Sequence, residues 1–543
     1  VIPESAYVHD WVRAHAADRP DAPAIGMPER PWVSYRELQA RIDALVVRFA
    51  RLGMGKGSFG IVSLPASDVS VAAALAMQTL GGVCIDINRE AGKDTFAEVL
   101  RQTEATVACV LLRDVPTWAG LAADRPGLTL VVVHPEPPPA RAEQVLAHTA
   151  WEWLPTHGPD DPADPATDAL RAELTPDDMA LLVYTSGSTG TPRAVIQTHG
   201  NIDANTRAIV RYLELTERDR AMATLPLFYC YGRSVLQTHL LVGGSVFFDH
   251  RFMYPAVVMK ELQEQSCTGF AGVPLTFENL RRQLDIASMS FPTLRYVTQA
   301  GGAMHPDTIR WARQAFAPAV LFVMYGQTEA TSRLAYLHPA DAERKEGSVG
   351  KILDNLELRI VDDAGNPLPP GVDGHVTVRG PSVTPGYFKA PQETAEILRD
   401  GWLYTGDLGH VDDEGYLYLT GRTKEFLKLG GNRVSAREIE EVLRRHDQVR
   451  DVAVVGIVDT EGAEQAVAVV VREDGTDLDE AGLRRWSRER LPAFKVPRFV
   501  RFVDALPTTS SGKVARSELQ EWIKHDATLQ QAGPRTGSGG EGG

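Results

Sequence analysis

YTSGSTGTPRAVIQTH, residues Tyr184–His199, opens on the end of an apolar, strand-like run, Ala180–Tyr184, and passes at once into hydroxyls and glycines. Thr185, Ser186, Gly187, Ser188, Thr189 and Gly190 place four hydroxyl groups and two glycines in six residues. Glycine permits φ > 0 and close backbone approach to an anion. Backbone N–H groups and hydroxyls can then cradle phosphate oxygens, and Arg193 adds a permanent positive charge. Taken alone, the stretch reads equally as a flexible polar loop. It is not a Walker A loop, because no Gly-Lys-Ser/Thr follows. A formal G-x-G-x-x-G at Gly55–Gly60 follows a helix-like stretch (Leu38–Leu52) and precedes a strand. Dinucleotide binding needs the opposite order, so this one reads as a turn.

Outward from the loop, helical and strand-like stretches alternate from about Val8 to Thr420. Gly60–Leu64 and Thr129–Val133 read as strands and Val71–Leu80 as a helix. Such alternation favours layered α/β architecture with largely parallel sheets. Pro135–Pro139 and Pro155–Pro165 read as surface connections. Near Leu356–Leu419 short strands are separated by turn clusters such as Asp362–Pro367 and Asp412–Gly415, which predicts a mostly antiparallel β subdomain. After Gly421 comes a compact α+β unit. There Ser435 and Glu438 fit a capping box ahead of a helix with Ile439, Val442 and Leu443 on one face. Strands at Val452–Val458 and Ala466–Val471 and a helix around Ala481–Arg490 follow. Residues 532–543 have too few apolar groups to pack, and disorder is expected there.

With 543 residues, 43% hydrophobic and 23% charged, the chain has the composition of a globular protein of several domains. The net charge of −15 argues against a general nucleic-acid binder. Cys84, Cys109, Cys230 and Cys267 are scattered without a CxxC pair. Neither a disulfide framework nor a zinc site follows, and a reducing cytoplasm is the expected compartment. No apolar run approaches the ~20 residues of a membrane span.

Tyr184–His199 resembles the phosphate-loop signature of the acyl-adenylate-forming superfamily, which includes acyl- and aryl-CoA ligases, nonribosomal-peptide adenylation domains and firefly-type luciferases. Further matches follow in order: Ala300–Ala303, Tyr325–Glu329 (YGQTE), Tyr404–Asp407, Gly421–Lys424 and Pro507–Lys513. Each is weakly specific. Six in sequence, spanning roughly residues 10–525, carry the resemblance.

The resemblance implies a large adenylating domain, residues 1–420, with a β-rich subdomain at about 356–420. A hinge at 421–425 would lead to a mobile C-terminal domain, 426–527, and a disordered tail, 528–543. It also implies roles. A carboxylate and the α-phosphate of ATP are both anions, so positive charge must gather where they meet. Glu329 would hold Mg²⁺, Thr328 would contact the α-phosphate, and Tyr325 would stack on adenine beside Gly301, Gly302, Ala303 and Gly326. Asp407 would accept from the ribose hydroxyls, with Arg422 above the ribose and phosphate. Lys513 would bridge substrate carboxylate and α-phosphate as a mobile point charge. Lys424 would be the hinge. Lys428 would serve thiol transfer in a second domain orientation, and Gly430 and Gly431 would let a pantetheine arm pass.

The motifs depart from the family pattern at two places. Pro192-Arg193-Ala194 stands where the family usually has Pro-Lys-Gly, and His375 stands at a structural position where many members have Glu. The acid pocket is expected around Tyr229, Cys230, Gly232, Arg233, Ala300, Gly301 and Gly326. No acidic residue stands at Phe228–Arg233 to pair with an α-ammonium, which disfavours an amino acid substrate. Arg233 is a candidate to meet a second anionic group of the acid, or else to pair structurally. The expected activity is ATP-dependent conversion of a small carboxylic acid to its acyl-AMP. Acyl transfer follows to the thiol of coenzyme A or of phosphopantetheine on an acyl or peptidyl carrier protein. An adenylate-forming amide synthetase, a luciferase-like oxygenase and a non-catalytic nucleotide-binding protein on the same fold are the alternatives.

Overall fold

A computed structural model of the chain describes residues 2–123, 125–156, 167–185, 193–423, 426–429, 432–458, 464–508 and 514–526. Two compact units emerge. The first runs from the N-terminus to Leu358 and includes Val378–Leu403; the second comprises Arg359–Thr377 and the described chain from Tyr404 onward. The boundary falls inside the strands Gly374–Arg379 and Trp402–Val411.

In the first unit, nine strands among the described residues form one sheet. Its centre is parallel: Pro23–Gly26, Ser245–Phe248, Arg220–Ala223, Gly269–Gly272, Tyr296–Gln299 and Val320–Tyr325 lie side by side. Antiparallel strands close the edges. A second sheet of seven strands is parallel except for its last pair, Met179–Thr185 against Arg193–Thr198. The strands are short apolar runs because helices cover both faces. Thr129–Val133 is observed as the sequence predicts, and Met179–Thr185 extends the predicted Ala180–Tyr184 by a residue at each end. The covering helices begin at local start signals. Capping boxes start Tyr35–Arg51 (Ser34, Glu37), Asp68–Thr79 (Ser67, Ser70) and His199–Leu213 (Thr198, Asn201). The Gly55–Gly60 segment is a turn between helix and strand, with Gly57 at φ +80°.

The second unit has a three-stranded sheet, Val449–Val458, Glu464–Arg472 and Phe499–Phe502. Alternating residues split between two cores. Val452, Val454, Ala468 and Val470 meet Ile439 and Leu443 of the helix Ala436–Leu443. Ala453, Val455, Val467 and Val469 meet Leu519 and Ile523 of the helix Arg516–Lys524. The expected capping box at Ser435 does not form. The Ser435 hydroxyl donates to the Thr420 carbonyl, and Glu438 pairs with Lys495, so tertiary partners claim both groups. Val442 is only partly buried.

The four cysteines are buried, and none is in a disulfide. Among the described residues no helix is long and apolar enough to cross a membrane.

Candidate active site

Parallel register carries the C-terminal ends of Gly269–Gly272, Tyr296–Gln299 and Val320–Tyr325 to one edge of the nine-stranded sheet. Such an edge is where α/β folds bind ligands, and Ala300–Ala303 and Gly326–Glu329 emerge there. The Gln299 amide donates to the Gly302 carbonyl at 2.8 Å and closes the first loop on its own strand. Gly301 sits at φ +89°, and the hydroxyl of Tyr229 lies where its Cβ would be. Glycine is required there on both counts. A Cβ at Gly326 would run into the Ser332 carbonyl, so this glycine lets the Ser332–Leu334 segment lie flat against Tyr325.

Thr328–Ala330 forms a single tight turn. Buried Gln197 donates to the carbonyls of Thr328 (3.2 Å) and Thr331 (2.9 Å). The Thr384 N–H donates to the Glu329 carbonyl at 2.8 Å. Thr331 is held at φ +67°, an unusual place for a β-branched residue, and its hydroxyl donates to Ser382. The turn therefore presents Thr328 and Glu329 from a rigid backbone. The Thr328 hydroxyl donates to Cys230 Sγ at 3.4 Å, tying the turn to the first residue of the helix Cys230–Val242.

One oxygen of the half-buried Glu329 carboxylate accepts from the Tyr387 hydroxyl at 2.7 Å. Burial, then the neighbouring Glu329, pushes the Tyr387 phenol up, so it stays a neutral donor. Arg193 lies 5.4 Å from the centroid of the same ring. The Arg193 guanidinium, the Tyr387 phenol and the Glu329 carboxylate thus form one connected row. No described cation makes an ion pair with Glu329. Among the described residues no group of three or more His, Cys, Asp or Glu side chains is gathered for a metal. A single carboxylate of this kind fits Mg²⁺, which takes one or two protein carboxylates and fills its shell with phosphate oxygens and water.

In the second unit Asp407 and Arg422 face each other across the strands Trp402–Val411 and Leu417–Arg422. Arg422 Nε donates to Asp407 Oδ1 at 2.7 Å. Asp407 is buried and Arg422 exposed, so the pair points its cationic side outward.

The pocket reading needs one correction. Arg233 does not face the acid site: it is buried in an ion pair with Asp86, and its Nε donates to the Leu227 carbonyl at 3.1 Å. A charge this deep is costly unless it is paired. Gly232 faces the carbonyls of Leu225 and Pro226, so its lack of a side chain serves packing. Tyr229, Cys230, Ala300 and Gly301 do meet at the sheet edge, and burial pushes the Tyr229 phenol up. Thr185 opposes Arg193 in the antiparallel pair that frames the phosphate loop. Ser186, Gly187, Ser188, Thr189, Gly190, Lys424, Gly430, Gly431 and Lys513 lie outside the described residues, as does the side chain of Lys428. Gln197, Tyr387 and the clamp Asn205, which bonds the backbone N–H and C=O of Arg333, were not legible as site residues. Each acts through a partner more than a hundred residues away, or, for Tyr387, fifty-eight away.

Residues 12–388 match the sequence model of the AMP-binding enzyme family, and residues 438–513 match that of the AMP-binding enzyme C-terminal domain. Over 522 residues the chain is 30% identical to the indoleacetate–CoA ligase of Aromatoleum aromaticum, covering 96% of this chain and 99% of that protein. Over 489 residues it is 36% identical to a feruloyl-CoA synthase of an Amycolatopsis species, covering 90% and 93%. Among solved structures, ATP-bound MatB from Rhodopseudomonas palustris matches with a TM-score of 0.83 at 26% identity, covering 96% and 99%.

Proposed function

The chain belongs to the AMP-binding enzyme family, and from that premise we propose that it activates a carboxylic acid with ATP and transfers the acyl group to the thiol of coenzyme A. The observation that carries this reading is the rigid Thr328–Glu329 turn at the sheet edge, with its carboxylate tied through Tyr387 to Arg193.

In the first half-reaction a carboxylate oxygen attacks the α-phosphorus of ATP. The new P–O bond forms as the bond to the β-phosphate oxygen breaks, and pyrophosphate leaves. Thr328 offers its hydroxyl to the α-phosphate, and Arg193 neutralises phosphate charge. Mg²⁺ held by Glu329 would draw charge from the phosphate oxygens. Tyr325 and the Gly301–Gly302 backbone receive the adenine, while Asp407 receives the ribose hydroxyls. Lys513 places its ammonium between carboxylate and α-phosphate, where negative charge concentrates. In the second half-reaction the thiolate sulfur attacks the acyl carbon, and AMP departs with the electron pair of the broken C–O bond. Lys428 and the Gly430–Gly431 backbone serve this step, with Lys424 as the hinge between the two. A carrier-protein phosphopantetheine presents the same thiol arm as coenzyme A.

ATP–pyrophosphate exchange with a panel of acids tests the first half-reaction. Adding coenzyme A, a phosphopantetheinylated carrier protein or an amine, and weighing the product, identifies the acceptor. The proposal fails if no acid supports exchange.

A further inference from the structure

Among the described residues two arginines are almost wholly buried, Arg233 at 5% exposure and Arg333 at 2%. Arg233 has Asp86. Arg333 makes no ion pair with any described residue. Its Nε donates to the Tyr212 hydroxyl at 3.2 Å, and its guanidinium carbon lies 5.0 Å from the centroid of the Tyr231 ring. Both phenols are pushed up by burial and stay neutral. Arginine cannot shed its proton, and a buried cation lacking a counter-charge is costly.

The guanidinium borders a small cavity whose walls include Tyr231, Ser234, His239, Thr298 and Met324. Nothing in that wall is anionic. His239 is neutral: its Nδ1 donates to the Val235 carbonyl at 2.8 Å, its Nε2 accepts from the Tyr296 hydroxyl at 3.1 Å, and burial pushes its pKa down. The Tyr231 hydroxyl is occupied by Thr298 at 2.7 Å. Arg333 is therefore the one fixed charge on this wall, and it is held firmly. Asn205 clamps its backbone at 3.0 and 2.8 Å, and the next residue, Leu334, bonds the Tyr325 carbonyl at 2.8 Å.

Two residues of the cavity wall adjoin the acid-site loops in the chain. Thr298 lies two residues before Ala300, and Met324 immediately precedes Tyr325. Tyr229, whose hydroxyl abuts Gly301, packs edge-on against Tyr231 at 6.3 Å. An acid with its reacting carboxylate at the Gly301–Thr328 edge would have to extend its tail past Tyr231 to meet Arg333.

We propose that the acid activated here carries a second anionic group, a carboxylate or sulfonate, at the end remote from the reacting carboxylate, and that Arg333 selects it. This rests on the acid-activating function proposed above. Substrate binding supplies the counter-charge that the fold withholds. A neutral tail leaves the guanidinium desolvated and unpaired, which is the situation in which sites discriminate most strongly.

The test uses the full chain and matched acids in ATP–pyrophosphate exchange: hexanoate against adipate, and 3-phenylpropanoate against its ring-carboxylated and ring-sulfonated analogues. The charged member of at least one pair is expected to have kcat/KM higher by about 100-fold. Arg333→Met should abolish or invert that ratio, with an unfolding midpoint showing that the variant is folded. Arg333→Lys, which keeps the charge, should retain a preference weakened by roughly tenfold; this arm decides the matter if the methionine variant does not fold. Neutral and charged acids used within about threefold of each other, or a ratio unchanged in Arg333→Met, would overturn the inference while leaving acid activation intact. Exchange with no acid at all would overturn both.

Discussion

Tyr387→Phe removes one atom from the site, the hydroxyl that donates to Glu329 at 2.7 Å. The ring stays, and with it the Arg193 contact and the packing of a side chain that is 6% exposed. A hydrogen bond to a charged group contributes about 1.5–3 kcal/mol. Glu329 is only half-buried, so water replaces part of what is lost and the lower figure applies. About 1.5 kcal/mol corresponds to roughly a tenfold change in an equilibrium constant. The lost bond frees the carboxylate to rotate away from the position in which it meets Mg²⁺. The expected result is about a tenfold rise in the Mg²⁺ concentration giving half-maximal ATP–pyrophosphate exchange, with most of the rate recovered at saturating Mg²⁺. The thermal midpoint should move little. An unchanged Mg²⁺ dependence would refute the positioning role. Loss of rate at every Mg²⁺ concentration with a large fall in midpoint would show that the hydroxyl matters to folding instead.

Gly326→Ala should reduce exchange by more than about 100-fold, because the added Cβ meets the Ser332 carbonyl and must push the turn out of place; activity within threefold of wild type would contradict that packing. Lys513→Ala should impair exchange strongly, while Lys428→Ala should spare exchange and impair thioester formation; equal loss in both half-reactions for Lys428→Ala would contradict the two-orientation model. His199 is buried among Tyr7 and His9, near Asp178, with neither ring nitrogen hydrogen-bonded, and burial lowers its pKa to about 4. Its folded value lies below the unfolded one of about 6.5, so the unfolded chain takes the proton first as pH falls. The associated stability is complete above about pH 6.5 and is lost between there and about pH 4. At pH 5 the loss is about 2 kcal/mol. His199→Gln should flatten the pH dependence of the unfolding midpoint between pH 7 and 5; an identical slope in the variant would count against it.

Much of the fold was legible because its signals are local. Apolar runs bounded by turns located Thr129–Val133 and Met179–Thr185, and hydroxyl residues ahead of apolar periodicity mark helix starts. Ser435 shows the limit, since a correct helix start came with an incorrect cap once Thr420 and Lys495 competed for its two groups. The ordered motifs likewise marked Gly301, Gly326, Thr328 and Glu329, which chain direction alone brings to one edge of a parallel sheet.

What tertiary structure alone decided is the partner of each charge. Sequence by itself supplied a family resemblance, and through it the expectation of an ATP phosphate loop and of an acid pocket without an amino acid's counter-charge. It left Arg233 open, as a candidate for the pocket cation or for a structural pair. Folding gives Arg233 the carboxylate of Asp86 and leaves Arg333 without one beside the cavity. Both are single arginines in apolar surroundings, and local pattern cannot tell them apart. A charge is classified by its nearest counter-charge, and in this protein that neighbour is chosen by strand order, about 150 residues away for Arg233 and absent among the described residues for Arg333.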